Sequence, residues 1–154
     1  MKKIYICGLF LLLAGFSANA QTSPKEMTIT PGPGNPWASG ELIQPDALVA
    51  QINSASAKTP PIFNIGAVED IKGATHIGAV GNTENLLKFK KALADLPKGT
   101  EVVIYCGCCP FAKCPNIRPA YNELKTMGFT HIKLLNLPNN LQTNWIAKGY
   151  PLAK

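Results

Sequence analysis

The sequence predicts an α/β domain built on a mainly parallel central sheet with helices on both faces. Short apolar runs of strand length alternate with segments whose apolar residues recur every three or four positions, and the connections between them are short. Parallel neighbours need crossovers, and helices placed in those crossovers bury both faces of the sheet, so its strands read as unbroken apolar runs. No internal repeat is visible.

Taken in order, the first helix is expected from Asp46, read as an N-cap after Pro45, with Leu48, Val49 and Ile52 on its apolar side and Pro60 and Pro61 beyond its end. Pro61 to Ile65 reads as a buried strand and Thr75 to Val80 as a second. Leu86, Phe89, Leu93 and Leu96 keep helical spacing from a cap at Asn82 or Thr83, and Pro97, Lys98 and Gly99 stop that helix. Glu101 to Tyr105, with Val102, Val103 and Ile104, is the clearest strand. After a cysteine-rich loop come a helix from about Asn116 to Met127 closed by Gly128, a strand from His131 to Leu135, and a last helix around Trp145.

The beginning of the chain has a different character. Lys2 and Lys3 precede an apolar run from Ile4 to Phe16 and the small-residue triplet Ala18, Asn19, Ala20, the pattern of a secretory signal peptide (residues 1–20) cleaved after Ala20. The run is shorter than the roughly 20 apolar residues of a membrane-spanning helix. The expected destination is therefore the periplasm or the exterior, with no stable membrane insertion after cleavage. Residues 21–36, centred on Pro31, Gly32, Pro33 and Gly34, read as an extended lead-in, and the domain covers 37–154.

Without Lys2 and Lys3 the chain carries 13 basic and 9 acidic residues, mostly scattered, and no basic patch is interleaved with aromatics. Nucleic acid is not an expected partner. Lys88, Lys90 and Lys91 read as a solvated helix face.

Cysteine placement is the informative feature. Cys106, Cys108, Cys109 and Cys114 all fall in one loop, where cross-links would tie almost nothing together, so chemistry, metal binding or redox pairing is favoured over stapling. Ligands of open parallel sheets bind beyond the carboxyl ends of the strands, and Cys106 sits at such an end. The following helix directs its N-terminus and loop amides into the same space, which favours an anionic sulfur. Cys114, two residues before Asn116, meets the same argument and is the rival nucleophile.

Arg118 is the only arginine, against twelve lysines after Ala20, and a planar fork there suits an oxyanion such as thiosulfate as well as it suits a structural hydrogen bond. A cysteine phosphatase would need cysteine where Ala112 stands, so that class is excluded. Asn116 reads as a helix cap, and His76 and His131, with no acid at a telling spacing, as structural. Trp37, Trp145 and Tyr150 are expected in packing roles.

The ordered set of a helix within Trp37 to Ile52, the Ile62-Phe63-Asn64-Ile65 strand, Ile71-Lys72-Gly73-Ala74-Thr75-His76-Ile77, Val102-Val103-Ile104-Tyr105-Cys106, Arg118 with Ala120 and Leu124, and Gly149-Tyr150-Pro151 is similar to the rhodanese-like domain. The resemblance implies that Cys106 carries sulfur as a persulfide, that the amides after it cradle the anion, here Gly107 and Asn116, and that sulfane sulfur passes from a small sulfur-containing donor to a thiol or cyanide acceptor. Activity of the thiosulfate sulfurtransferase type follows, with Arg118 anchoring substrate, the other loop thiols resolving, and no cofactor. The chain departs from the family in having Asn64 and Gly66 where Asp and Arg usually flank the first core strand, and in the eleven residues between Cys106 and Arg118. The alternative on the same fold is a non-enzymatic module, either thiol-redox through the Cys106/Cys109 C-x-x-C pair or binding a soft metal at Cys106, Cys109 and Cys114.

Overall fold

Five short strands, β1 (Leu42–Ile43), β2 (Ile62–Asn64), β3 (Ala74–His76), β4 (Val102–Tyr105) and β5 (Ile132–Leu135), form one sheet in the order β1-β5-β4-β2-β3. Every pairing between them is parallel. The structure is a computed structural model that describes residues 36–55 and 59–154; the expected signal peptide and nearly all of the extended lead-in lie outside the described residues.

Alternation along each strand sorts the side chains onto two faces. Phe63, Val102, Ile104, Ile132 and Leu134 point to one face, which is covered by α2 (Thr83–Leu93) and α3 (Ile117–Thr126) through Phe89, Leu93, Ala120 and Leu124. Ile62, Val103, Tyr105 and Leu135 point to the other, covered by α1 (Pro45–Asn53) and α4 (Leu141–Asn144) through Leu48 and Leu141, with Trp145 following α4. The same parity carries Cys106, one residue beyond β4, onto the α2/α3 face, where it joins the core with Cys114.

Three boundaries differ from the sequence reading for identifiable reasons. β1 has two residues, too few to show a period, and is held by its register with β5, Leu42 opposite Leu134 and Ile43 opposite Leu135. The first helix starts with Pro45 at its first position, whose fixed φ suits a helix start, so Gln44 is the N-cap. Asp46 lies in the first turn, its carboxylate accepting from Ala47 N–H. The second strand is shorter and earlier than expected, because after His76 the carbonyl of Asn64 takes the N–H groups of both Ile77 and Gly78 and the chain leaves the sheet.

Asn82 caps α2 as the spacing predicts, its side chain accepting from Glu84 N–H at 2.7 Å. Trp37 and Trp145 are buried, and Trp145 meets the ring of Tyr150 edge to face, in keeping with their expected packing roles. Among the described residues no helix is long and apolar enough to cross a membrane.

Candidate functional site

The cysteine loop is anchored at both ends. Tyr105 ends β4 with its hydroxyl buried on the α1/α4 face, accepting from Ile71 N–H at 2.9 Å and donating to the Glu69 carbonyl at 3.1 Å. Beyond the cysteines, Phe111 opens a 3-10 turn (Phe111–Lys113) and inserts its ring into the core, while its N–H donates to the Leu137 carbonyl. The turn sends Cys114 back beneath the sheet end, and Pro115 leads into α3.

Gly107 makes the tight turn between these anchors. Its φ is +74°, in the region that favours glycine, and a Cβ there would stand 2.8 Å from the Leu141 Cβ. The reversal swings Cys108 over Cys106, leaving their Sγ atoms 3.2 Å apart, and the Cys109 Sγ lies 3.6 Å from that of Cys108. The sulfurs of Cys106, Cys108 and Cys114 all lie within 4.8 Å of one another. A soft ion such as Cu(I) or Zn(II) would therefore meet Cys108, in place of the expected Cys109, beside Cys106 and Cys114. Cys109 faces partly into the core instead.

Asn116 has a larger role than capping. It occupies the N-cap position of α3 in a helical conformation and makes no side-chain cap hydrogen bond. Its buried amide instead bridges two segments: Oδ1 accepts from Gly81 N–H at 2.9 Å and Nδ2 donates to Cys106 Sγ at 3.3 Å. Because the Gly81 donor requires an oxygen, it fixes which end of the amide faces the sulfur.

These contacts set the charge of the cluster. Hydrogen bonding from Cys114 does most to stabilise the Cys106 thiolate, and against the opposing cost of burial the Asn116 amide, the Cys108 N–H and the Cys108 thiol add to it, holding the Cys106 pKa down at about 5. Cys114 moves the opposite way, upward, because it donates to that thiolate and is buried, even though the N–H groups of Asn116 and Ile117 face it. Burial and then the adjacent Cys106 sulfur push Cys108 up to about 12. The three shifts favour the negative charge on Cys106 over Cys108 and Cys114. Within the expected cradle Asn116 contributes its side chain and Gly107 contributes the turn, while the N–H facing the sulfur belongs to Cys108.

The floor of the site comes from the loop after β2, a contribution the spacing of residues did not reveal. Asn64 is fully buried; its Oδ1 accepts from Gly66 N–H at 3.0 Å, and its Nδ2 donates to the Val68 carbonyl at 2.7 Å and to Asp70 Oδ1 at 2.8 Å. Asp70 also pairs with His76 Nδ1 at 2.9 Å, so His76 does have an acid partner. This network holds Gly66 flush against Cys106, where a Cβ would come within 2.4 Å of the Cys106 carbonyl oxygen and 2.8 Å of its Sγ. Gly66 thus walls the sulfur directly, and Asn64 serves the enclosure by holding the Gly66 N–H. A glycine directly after a core strand was the available signal.

Arg118 is placed elsewhere. It is exposed on the first turn of α3 with its guanidinium over the Trp37 ring, 5.6 Å from the centroid, and among the described residues no hydrogen bond or ion pair ties it to the four cysteines.

No protein-family profile matches the chain. No curated protein matches it either. Among solved structures it is similar to the Alr3790 protein from Anabaena sp., with a TM-score of 0.51 and 21% identity over 72% of this chain and 90% of that one. The likeness concerns the fold, which is rhodanese-like α/β.

Proposed function

We propose that the protein is an exported sulfane-sulfur carrier or sulfurtransferase that works through a persulfide on Cys106. The observation that carries this reading is a single enclosed thiolate: Cys106 Sγ at the carboxyl end of central strand β4, backed by Gly66, bonded by Asn116 Nδ2 and flanked by the Cys108 and Cys114 sulfurs. A low-pKa thiolate is the reactive form toward sulfur electrophiles. With thiosulfate, the Cys106 sulfur attacks the outer sulfur, the S–S bond of thiosulfate breaks, and sulfite leaves with its electron pair. The enzyme keeps a Cys106 persulfide anion. A thiol or cyanide acceptor then takes the outer sulfur and restores the thiolate. The donor groups around Cys106 would hold either anion, because each stabilises negative sulfur without needing a cation.

The test is intact mass measurement of the chain from Gln21 after incubation with thiosulfate under reducing, metal-free conditions. Gain of one sulfur atom, lost on adding cyanide and absent in Cys106→Ser, is the expected result. A wild-type chain that gains no sulfur refutes the reading. If that chain instead binds one equivalent of Cu(I) or Zn(II) through the three clustered sulfurs, the metal-binding alternative replaces it.

A further inference from the structure

Cys106 is 2% exposed, whereas Cys108, 3.2 Å away, is exposed to solvent. The other groups against the Cys106 sulfur are closed to the outside: Cys114 and Asn116 are buried, and Gly66 presents buried backbone. Any approach to Cys106 therefore runs past Cys108. A small anion or cyanide can slip by a single side chain, but a thiol carried on a folded protein cannot follow it to the buried sulfur.

We infer that Cys108 is the delivery thiol of this site, taking the outer sulfur from Cys106 and presenting it as a surface persulfide to a protein thiol acceptor. The inference rests on the sulfur-carrier reading above. In the step, the Cys108 thiol passes its proton to the terminal sulfur of the Cys106 persulfide and its own sulfur attacks that atom. The bond between Cys106 Sγ and the terminal sulfur breaks, and Cys106 leaves as the thiolate. One persulfide sulfur, one negative charge and one proton are present before and after, so no oxidant or reductant is needed. The direction follows from thiol exchange chemistry, in which the sulfur whose released charge is best held by surrounding donors is the better leaving group. Cys106, with its ring of donors, is the best leaving group of the cluster, and the Cys108 sulfur is already within contact distance.

The alternative course, attack of Cys108 on Cys106 Sγ itself, would expel hydrosulfide and leave a disulfide between residues only two apart. The exposed position of Cys108 argues for the first course, since it yields a product that an acceptor can reach.

The experiment uses the chain from Gln21, wild type and Cys108→Ser, loaded with thiosulfate and freed of excess. Unloading is followed by mass with two acceptors: cyanide, and a folded protein bearing one exposed cysteine. Cys108→Ser is expected to load on Cys106 and to slow unloading to the protein thiol about tenfold or more beyond any change in its unloading to cyanide, as follows from losing the attacking sulfur. Rapid alkylation and peptide mapping of loaded wild type is expected to find part of the extra sulfur on Cys108. Equal unloading of both chains to the protein thiol, extra sulfur confined to Cys106, hydrosulfide release with a Cys106–Cys108 disulfide, or failure of Cys108→Ser to load each overturns the inference. Failure of wild type to load overturns the sulfur-carrier reading instead.

Discussion

Gly66→Ala separates steric enclosure of the thiolate from mere proximity. Gly66 does not have a positive φ, so alanine fits its backbone, and such a change by itself stabilises a protein by about 0.4–1 kcal/mol through the unfolded state. The contacts point the other way. The added methyl would lie 2.4 Å from the Cys106 carbonyl oxygen, 3.0 Å from its carbonyl carbon and 2.8 Å from its Sγ. Two of these atoms are backbone of a fully packed strand end that cannot swing aside, so β2 and β4 must part locally, and overpacking of that kind costs about 1–3 kcal/mol. The clash outweighs the entropic gain, for a net loss of about 1–2 kcal/mol and a fall of several degrees in Tm. Thermal unfolding by circular dichroism in reducing buffer measures it. Gly40→Ala, where nothing stands within 4 Å of the added carbon, is the control and is expected to leave stability within about 0.5 kcal/mol of wild type. A Gly66→Ala chain as stable as wild type, or more so, would show that the Gly66 backbone does not wall in Cys106, and the enclosure argument would fail with it.

Asn116→Ala removes a hydrogen bond to a charged sulfur, worth about 1.5–3 kcal/mol, and so raises the Cys106 pKa by about 1–2 units; the pH midpoint of Cys106 alkylation by iodoacetamide should move up from about 5 accordingly, and an unmoved midpoint would remove Asn116 from the site. The pH dependence of stability has a fixed sign. Because folding lowers the Cys106 pKa from 9.0 to about 5, its stabilisation is complete above pH 9 and is lost as pH falls toward 5. Cys108 and Cys114, whose pKa values rise on folding, remove stability above pH 9. Urea midpoints should therefore climb from pH 5 to about 8 in wild type, and the climb should flatten in Cys106→Ser; an equal climb in both chains would contradict the assignment. Tyr105→Phe strands the Ile71 N–H and the Glu69 carbonyl beneath the loop, and should cost about 1–3 kcal/mol in urea unfolding.

The alternation of apolar runs with helical periods was enough to read the sheet, because β2, β4 and β5 are buried on both faces and carry almost nothing but apolar side chains. The strand's end placed Cys106 at the mouth of the sheet, and in the fold residues 102, 104 and 106 share the face that α3 covers. β1 was hidden because two residues show no period and owe their conformation to β5. Asp46 misled for a related reason. An acid at a helix start is equally at home as a cap or in the first turn, and the proline before it, whose φ is preset, took the first helical position.

Inside the loop, spacing could count cysteines but not say which sulfurs meet. C-x-x-C spacing favoured Cys106 with Cys109, a pairing that assumes a helical continuation after the first cysteine; Gly107 breaks that assumption by turning the chain in the left-handed region, so the next residue but one comes back instead. Asn116 escaped in a more instructive way. As a cap its oxygen would bond an amide of its own helix, a local interaction that a sequence window sees. Gly81, thirty-five residues earlier, supplies the N–H instead, and taking that donor commits the oxygen and turns the NH2 group onto Cys106. The loop before α2 thus decides which end of an amide faces a sulfur at the end of β4, and so contributes to where the cluster's single charge resides. Only the assembled sheet brings those three segments together.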